Sequence, residues 1–314
     1  LRNHSDISDE TRERVLKRMK ELDYRPNLAA RALVTGRTFS VGLVVPDLVH
    51  PFFAEVAKGL SKVLRKKGYS LLIASSEEDA ELEQQEIEMM LARHVDALVV
   101  ASAQWTVESF RRIEEQKTPY VLIDRQFAGL AANFVGVDDE AVGALATAHL
   151  LAQGCRRIAY LGSDTMGNKL KGYRDALAEF GLPEIWIPAD DTSMGKVARA
   201  NARILAREIA TMPERPDGIQ CSDYYAASLL AELPRLGIRV PEDIALIGFD
   251  NRDFVDVVAP ALSTVAQPSR QVGVTVAQLL LERIAAKNAN PTRQLKIPMS
   301  LVIRESSDFG GKER

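Results

Sequence analysis

The sequence predicts an α/β protein with two doubly wound parallel sheets, preceded by a short helical segment. Short apolar runs, such as residues 39–45 and 97–101, lack polar alternation, which is typical of strands buried on both faces. Stretches with helical spacing separate these runs, as in sheets covered by helices. About 275 residues follow the helical segment, which is enough for two domains of about 130 residues each.

The first forty residues differ from the rest of the chain in charge. They hold nine Lys or Arg and six Asp or Glu, whereas the whole chain has a net charge of -3. A basic segment therefore precedes an acidic body, as expected if only one end of the protein meets a polyanion. Chance variation over forty residues is the alternative, and charge alone does not decide between them.

A first helix is predicted over about residues 9–22. Ser8 is a suitable N-cap, and Asp9 and Glu10 place carboxylates at the positive end of the helix dipole. Apolar side chains then recur at helical spacing, at Val15, Leu16, Met19 and Leu22.

A second, very short helix is predicted after Pro26, which ends the first. Asn27 can cap this helix and Gly36 can end it. So few residues do not hold a helix in water, because nucleation costs more than the few hydrogen bonds return. We therefore expect this segment to fold only against a partner.

The body alternates strand and helix signals with short links. The predicted helices include residues 51–67 and residues 77–93. The carboxylate-rich part of the latter, residues 77–88, is interpreted as a solvent-facing surface. The predicted strands cover residues 39–45, 70–74, 97–101, 120–124, 157–162, 217–221 and 244–249.

Aromatic and charged side chains follow these strands, at the sheet edge where open α/β folds bind ligands. Phe52 and Phe53 start the helix after the first strand, and one of them is expected to be simply buried. Arg125 and Lys169 could be surface charges, and Asp250 could be a helix cap. Together, aromatics, two cations and a carboxylate suit a polyhydroxylated or acidic small molecule.

Several classes of chemistry lack their sequence signals. The histidines at 4, 50, 94 and 149 have no metal-ligand spacing, and Cys155 and Cys221 form neither a CxxC pair nor a disulfide framework. The phosphate-loop, GxGxxG and GxSxG motifs are absent from the sequence. We therefore predict no catalytic residue, no metal site and no cofactor. An enzyme on the same scaffold is an open alternative, because fold does not determine function.

The sequence also bears on location. It contains no apolar segment long enough to span a bilayer and no hydrophobic signal core. Two unpatterned cysteines fit a reducing compartment. We expect a cytoplasmic protein that does not associate with membranes.

Four stretches near the start resemble the lactose-repressor (LacI) family of bacterial transcription regulators. They are ISDETRERV at residues 7–15, LDYRPN at residues 22–27, ARAL at residues 30–33, and residues 38–46. The resemblance implies a ligand-responsive repressor that binds operator DNA as a homodimer.

The same resemblance assigns roles at the DNA end. It implies that residues 1–25 are the remnant of a helix-turn-helix headpiece and that residues 26–38 are a hinge helix and linker. Leu33 would be a wedge pushed between base pairs in the minor groove, with Asn27 and Arg31 near phosphates or groove edges. Family members carry about twenty further residues in front, including the recognition helix, so we expect weak operator binding without base specificity.

For the body, the resemblance implies two subdomains of the periplasmic-binding-protein type I fold, joined by three crossings near residues 138, 267 and 295. The N-terminal subdomain would comprise residues 39–138 plus about 268–293. The C-terminal subdomain would comprise residues 139–267 plus about 294–314.

Ligand residues also follow from the resemblance. Phe52 stands where family members stack an aromatic on the ligand, and Asp250 lies in a Gly-Phe-Asp-Asn motif whose Asp accepts ligand hydroxyls. Ser222 replaces a usual Asn, and Lys169 replaces a usual Arg, which offers a planar fork rather than a point charge. These departures indicate a sugar or sugar-acid effector other than the commonest one.

Dimer contacts are expected from apolar helix faces. The candidates Val272, Val276, Leu279 and Leu280 could equally belong to the core. The strongest alternative to a repressor is an exported sugar-binding protein of the same fold, which would have no use for residues 1–38.

Overall fold

The computed structural model describes residues 8–24, 28–103, 107–127, 129–164, 168–190, 194–286 and 291–309. In these residues two helices precede two sheets of six strands each. The predicted α/β class and the two parallel doubly wound units are confirmed.

Helix α1 spans Asp9–Glu21, close to its predicted bounds. Ser8 is its N-cap, and the side-chain oxygen of Ser8 accepts a hydrogen bond from the backbone N–H of Thr11. The apolar stripe of this helix is not covered by the described part of the chain, since Val15 and Leu16 remain exposed. An apolar face of this kind needs a partner to bury it.

Helix α2 spans Leu28–Thr35. Gly36 ends it with a φ of 65°, and its N–H donates to the carbonyl of Ala32 at 2.8 Å. Glycine suits this left-handed position because it has no Cβ to clash with the backbone. The helix has eight residues, as short as the sequence predicted.

The remaining elements follow in chain order. They are β1 (Ser40–Val45), α3 (Pro51–Lys66), β2 (Ser70–Ser75), α4 (Ala80–Ala92), β3 (Ala97–Ala101), α5 (Glu108–Glu115), β4 (Tyr120–Ile123), β5 (Asn133–Val137), α6 (Asp139–Ala152), β6 (Ile158–Gly162), α7 (Lys169–Ala178), β7 (Ile185–Pro188), α8 (Gly195–Thr211), β8 (Gly218–Gln220), α9 (Asp223–Glu232), β9 (Ala245–Asp250), β10 (Ser263–Ala266), α10 (Ser269–Ala285), β11 (Gln294–Ile297) and β12 (Ser300–Val302).

The first sheet has the order β11-β5-β4-β3-β1-β2, and its neighbouring strands are all parallel. Successive side chains point to opposite faces. Leu43 and Val99 pack against α3 and α10, whereas Val44 and Val100 pack against α4 and α5. Because helices cover both faces, the strands can be apolar at every position.

The second sheet has the order β12-β10-β9-β8-β6-β7. Its pairs are parallel except for β10 and β12, which run antiparallel. Leu161 and Leu246 pack with α8 and α9 on one face, and Tyr160 and Ile247 pack with α6 and α7 on the other.

The described chain crosses between the two sheets after Val137, after Ala266 and after Ile297. The first two positions agree with the predicted crossings near 138 and 267. The third corrects a predicted boundary, because β11 pairs in parallel with β5 and therefore belongs to the first sheet. Residues 294–297 lie in the N-terminal subdomain, and the C-terminal subdomain resumes at β12.

The first subdomain is closed by the packing of α3 against α10. A Cβ on Gly59 would lie 2.2 Å from the carbonyl oxygen of Arg270, and one on Gly273 would lie 2.1 Å from that of Val56. The two helix backbones therefore approach closely only because both positions are glycine. The suggested dimer residues are wrong, because Val272, Val276, Leu279 and Leu280 are buried in this core within one chain.

Helix α4 begins three residues later than predicted. Asp79 caps it, since its Oδ1 accepts hydrogen bonds from the N–H groups of Glu81 and Leu82. Glu77 and Glu78 lie before the cap with positive φ values of 50° and 60°, outside any helix.

Glu83 contradicts the interpretation of residues 77–88 as a uniform solvent face. Its side chain is buried, and its carboxylate accepts hydrogen bonds from the hydroxyl of Ser102 and the N–H of Ala103. These donors follow β3 and would otherwise be buried without an acceptor, which is costly.

Candidate functional site

The carboxyl ends of both sheets meet at one interdomain cleft. The cavity has a volume of about 110 Å³, below the roughly 300 to 1,000 Å³ of ordinary ligand pockets. A ligand therefore has to widen the cleft or shift side chains. The lining residues are Pro46, Asp47, His50, Phe52, Phe53, Glu78, Asp124, Arg125, Lys169, Ser222, Phe249, Asp250 and Gln267.

The five predicted ligand residues all border this cleft. Phe52 and Arg125 come from the first subdomain, and Lys169, Ser222 and Asp250 come from the second. The structure brings them together, while their contact with a ligand stays a prediction.

The aromatic wall belongs to the cleft and to the core at once. Phe52 and Phe53 are both buried, and their ring centroids lie 5.1 Å apart in an edge-to-face arrangement. The ring of His50 extends this wall, with its centroid 5.5 Å from that of Phe53.

His50 contributes a polar atom without an internal partner. Its Nδ1 is buried and has no hydrogen-bond partner among the described residues. Burial, and next the positive charge of Arg252, lower the pKa of His50. The ring is therefore neutral at pH 7 and can donate one hydrogen bond and accept another.

Lys169 is held by an ion pair. Its Nζ lies 2.8 Å from Oδ1 of Asp139, the first residue of α6, and both side chains are largely buried. The lysine therefore presents a positioned point charge at the cleft. Ser222 is less available than predicted, because it caps α9 by accepting a hydrogen bond from the N–H of Tyr225.

Asp250 is fixed in an unusual conformation. Its φ is 100°, and that of Asn251 is 58°, which non-glycine residues rarely adopt. Its Oδ2 accepts a hydrogen bond from Nη2 of Arg252 at 2.6 Å, and the Arg252 side chain is only 8% exposed. The pairing aims the carboxylate into the cleft and accounts for the tolerance of backbone strain.

Beneath Asp250 lies a second carboxylate. Asp223 accepts hydrogen bonds from the backbone N–H of Arg252 and the hydroxyl of Thr264, both at 2.8 Å. Burial, followed by the charge of Asp250, raises the pKa of Asp223 to about 7. Asp223 therefore supports the loop that carries Asp250.

The first subdomain contributes more acid than the sequence analysis anticipated. Asp47, Glu78 and Asp124 join Asp250 at the cleft, against the cations Arg125 and Lys169. Asp124 has a φ of 68°, and desolvation, then the charge of Asp139, raises its pKa to about 6 although it keeps contact with solvent. The expected pair of cations with one carboxylate thus becomes a carboxylate-rich cleft.

Sequence reasoning missed His50, Glu78, Asp139, Arg252 and Gln267 as parts of this site. Three of them stand within a few residues of a strand end, which was the available signal. Arg252 was detectable from its position two residues after Asp250, whereas Asp139 is recognised only through its pairing with Lys169.

At the DNA end, α2 exposes its apolar side chains. Leu33 and Val34 are each 89% exposed, so the structure does not bury Leu33 in a core. The guanidinium of Arg31 lies 4.1 Å from the ring centroid of Phe39. Asn27 lies outside the described residues.

The segment after α2 is tied to the first subdomain. Asp96 accepts hydrogen bonds from the N–H groups of Thr38 and Phe39 at 2.9 and 3.1 Å. Nη2 of Arg37 donates to the carbonyl of Ile284, near the end of α10. Movement of the first subdomain therefore carries the base of α2 with it.

Two searches of the described residues gave negative results. None of the helices there has the length and apolar character needed to cross a membrane. In the same part of the chain, no cluster of three or more His, Cys, Asp or Glu side chains could hold a metal ion.

Comparison with protein families gives two matches. Residues 147–307 match the periplasmic binding protein-like domain, and residues 1–27 match the lacI family of bacterial regulatory proteins.

Individual proteins agree with these matches. The transcriptional regulator DegA of Bacillus subtilis is 32% identical, covering 98% of this chain and 92% of DegA. The ribose operon repressor of Halalkalibacterium halodurans is 29% identical, covering 97% of this chain and 90% of the repressor. A LacI family regulator from Enterococcus faecium, solved with bound ribose, is 25% identical with a TM-score of 0.75, covering 85% of this chain and 98% of that one.

Proposed function

Because this chain belongs to the LacI family of bacterial regulatory proteins, we propose that it is a DNA-binding repressor that senses a sugar-like metabolite in the interdomain cleft. The relatives named above are transcription regulators, not enzymes. We assign the protein to the cytoplasm, where operator DNA is found.

The cleft favours a polyhydroxylated ligand. Phe52 and Phe53 offer apolar faces for sugar CH groups, and Asp250 offers a fixed acceptor for hydroxyls. The excess of carboxylates over cations disfavours a sugar acid, since like charges would be brought together in a confined space. A neutral sugar is therefore the preferred class, and the ribose-bound relative supports that choice.

One observation supports the mechanism above all: strand-end residues of both sheets line the cleft, while α2 is tied through Asp96 and Ile284 to the first subdomain alone. An occupant that widens the narrow cleft changes the angle between subdomains and so the position of α2. In a homodimer, the two α2 helices would then pair on DNA or separate. Coupling of this kind is typically about 1 to 3 kcal/mol.

The homodimer itself needs apolar surface, which the described residues offer away from α10. In the second subdomain Ile204 on α8 and Val257 after β9 are well exposed, and in the first subdomain Ile73 is exposed on the edge strand β2. Such exposed side chains are candidates for the contact between copies. Sedimentation of Ile204→Asp should show loss of the dimer if they are used.

A thermal-shift screen of neutral sugars, sugar acids and purines tests the proposal. A bound ligand raises the melting temperature in proportion to RT ln(1 + [L]/Kd), which is about 2.7 kcal/mol at a hundredfold excess over Kd. Asp250→Ala and Lys169→Ala should lose the shift, whereas Leu236→Ala, on the surface away from the cleft, should keep it. An undiminished shift in both cleft variants would place the ligand elsewhere.

A further inference from the structure

A wider groove adjoins the interdomain cleft. We call it the outer groove; its volume is about 760 Å³, and it shares Asp250 and Gln267 with the cleft. Its walls come from both subdomains. The residues that line it include Glu55, Lys62, Tyr224, Arg252, Phe254 and Arg270.

We propose that the outer groove is a second saccharide subsite, so that the effector is a disaccharide or longer oligosaccharide rather than a monosaccharide. This inference rests on the proposed function, because it assumes that the first sugar unit occupies the cleft. The cleft, at about 110 Å³, has little room beyond one ring. Continuity through Asp250 and Gln267 gives a second unit a direct path into the groove.

An aromatic pair forms the platform of this subsite. The ring centroids of Tyr224, in the first turn of α9, and Phe254, in the loop after β9, lie 5.1 Å apart at 52° to each other. Both residues line the groove and are half-buried, so ring surface remains accessible. Aromatic rings with apolar faces of this kind pack against the CH face of a sugar ring.

Arg252 links the two subsites. Nη2 of its guanidinium holds Asp250 in the cleft, while its side chain also borders the groove. Its Nε is buried and has no hydrogen-bond partner within the described residues. A buried donor without an acceptor costs about 1 to 3 kcal/mol, which a ligand oxygen reached by a small loop shift would recover.

The charge of the groove fits a neutral ligand. Glu55, Asp250 and Asp253 are balanced by three cations, and Arg270 pairs with Glu55 at 2.7 Å on the wall opposite the aromatic pair. Such paired groups can donate to and accept from hydroxyls without attracting an ionic ligand. The groove therefore suits an uncharged oligosaccharide better than a phosphorylated or acidic one.

The test compares sugars that share a ring but differ in length. Calorimetry on the full chain would measure glucose against cellobiose and maltose, and galactose against melibiose. Where a disaccharide binds, Phe254→Ala should weaken it at least about tenfold, equivalent to about 1.4 kcal/mol. The same variant should change the affinity of the matching monosaccharide by less than about twofold, since Phe254 does not line the cleft.

Two further variants separate binding from folding. Tyr224→Phe keeps the ring and should retain disaccharide binding, and Val257→Ala, outside the groove, should leave both sugars unaffected. A monosaccharide that binds as tightly as its disaccharide, with no effect of Phe254→Ala, would overturn the second subsite and leave sugar sensing intact. If no saccharide of any length binds, the proposed sugar class fails, and the subsite fails with it.

Discussion

The guanidinium of Arg31 in α2 lies 4.1 Å above the ring of Phe39, which immediately precedes β1. The Phe39 ring in turn lies 5.5 Å from that of Tyr69, centroid to centroid. A residue expected to approach DNA is thus held against the first subdomain by an interaction of cation and aromatic ring. This contact links the short hinge helix to the body.

Replacement of Phe39 by Leu should loosen α2. The change keeps an apolar side chain but removes the attraction for Arg31, worth about 0.5 to 1 kcal/mol at an exposed site. Amide hydrogen exchange across residues 28–35 should become several-fold faster, while Phe39→Tyr should behave as wild type. Equal protection in all three proteins would show that the contact does not hold the helix.

Replacement of Leu33 by Ala should weaken operator binding without affecting stability. The side chain is 89% exposed, so its truncation leaves no cavity in the folded chain. Val34, equally exposed, gives a matched control. On an operator selected from random duplexes, Leu33→Ala should lose about tenfold or more in affinity, and Val34→Ala clearly less. A loss of the same size in both would contradict the wedge role of Leu33.

Replacement of Lys169 by Met should abolish effector binding more completely than it lowers stability. It removes the charge at the cleft and leaves Asp139 without its partner at 2.8 Å. Lys171→Met is the control, because Lys171 forms exposed ion pairs with Glu140 and Asp175 and such pairs contribute about 0 to 1 kcal/mol. Calorimetry with the ligand found in the screen should show a loss only for Lys169→Met.

Stability should depend on pH through Asp223. Its pKa is raised to about 7, so the folded protein keeps a proton that the unfolded chain loses near pH 4. This contribution is present at low pH and is lost as the pH rises through about 7. The free energy of unfolding of wild type relative to Asp223→Asn should therefore fall between about pH 5 and pH 8.

A second acidic residue provides the control for that measurement. The hydrogen bonds from Arg239 lower the pKa of Asp243 to about 2. Its contribution is complete above about pH 4, so the difference between wild type and Asp243→Asn should be constant from about pH 5 to pH 8. Urea unfolding at both pH values measures the two differences, and a constant difference for Asp223 would refute its raised pKa.

Replacement of Leu280 by Ala should lower the free energy of unfolding by about 2 to 5 kcal/mol, because the side chain is fully buried and its loss leaves a cavity. Leu236→Ala, at an exposed leucine, should cost much less. Sedimentation of Leu280→Ala at a temperature where it is folded should show an unchanged oligomeric state. A folded monomer with little loss of stability would return Leu280 to the dimer surface.

Local features of the sequence were sufficient for the elements and for the position of the cleft. The Ser8 cap, the left-handed Gly36 and the apolar runs act over a few neighbouring residues, so they can be identified without knowing the fold. The placement of Phe52 and Asp250 at one edge followed from the rule that parallel strands end together.

Tertiary packing alone decided what depends on residues far apart in the chain. The assignment of β11 to the first sheet, the burial of Glu83 under Ser102 and the pairing of Lys169 with Asp139 each join distant segments. A carboxylate or an apolar helix face has the same local pattern whether it meets water or another element. Only the element packed against it determines whether it is buried, and that partner is chosen when the whole chain folds.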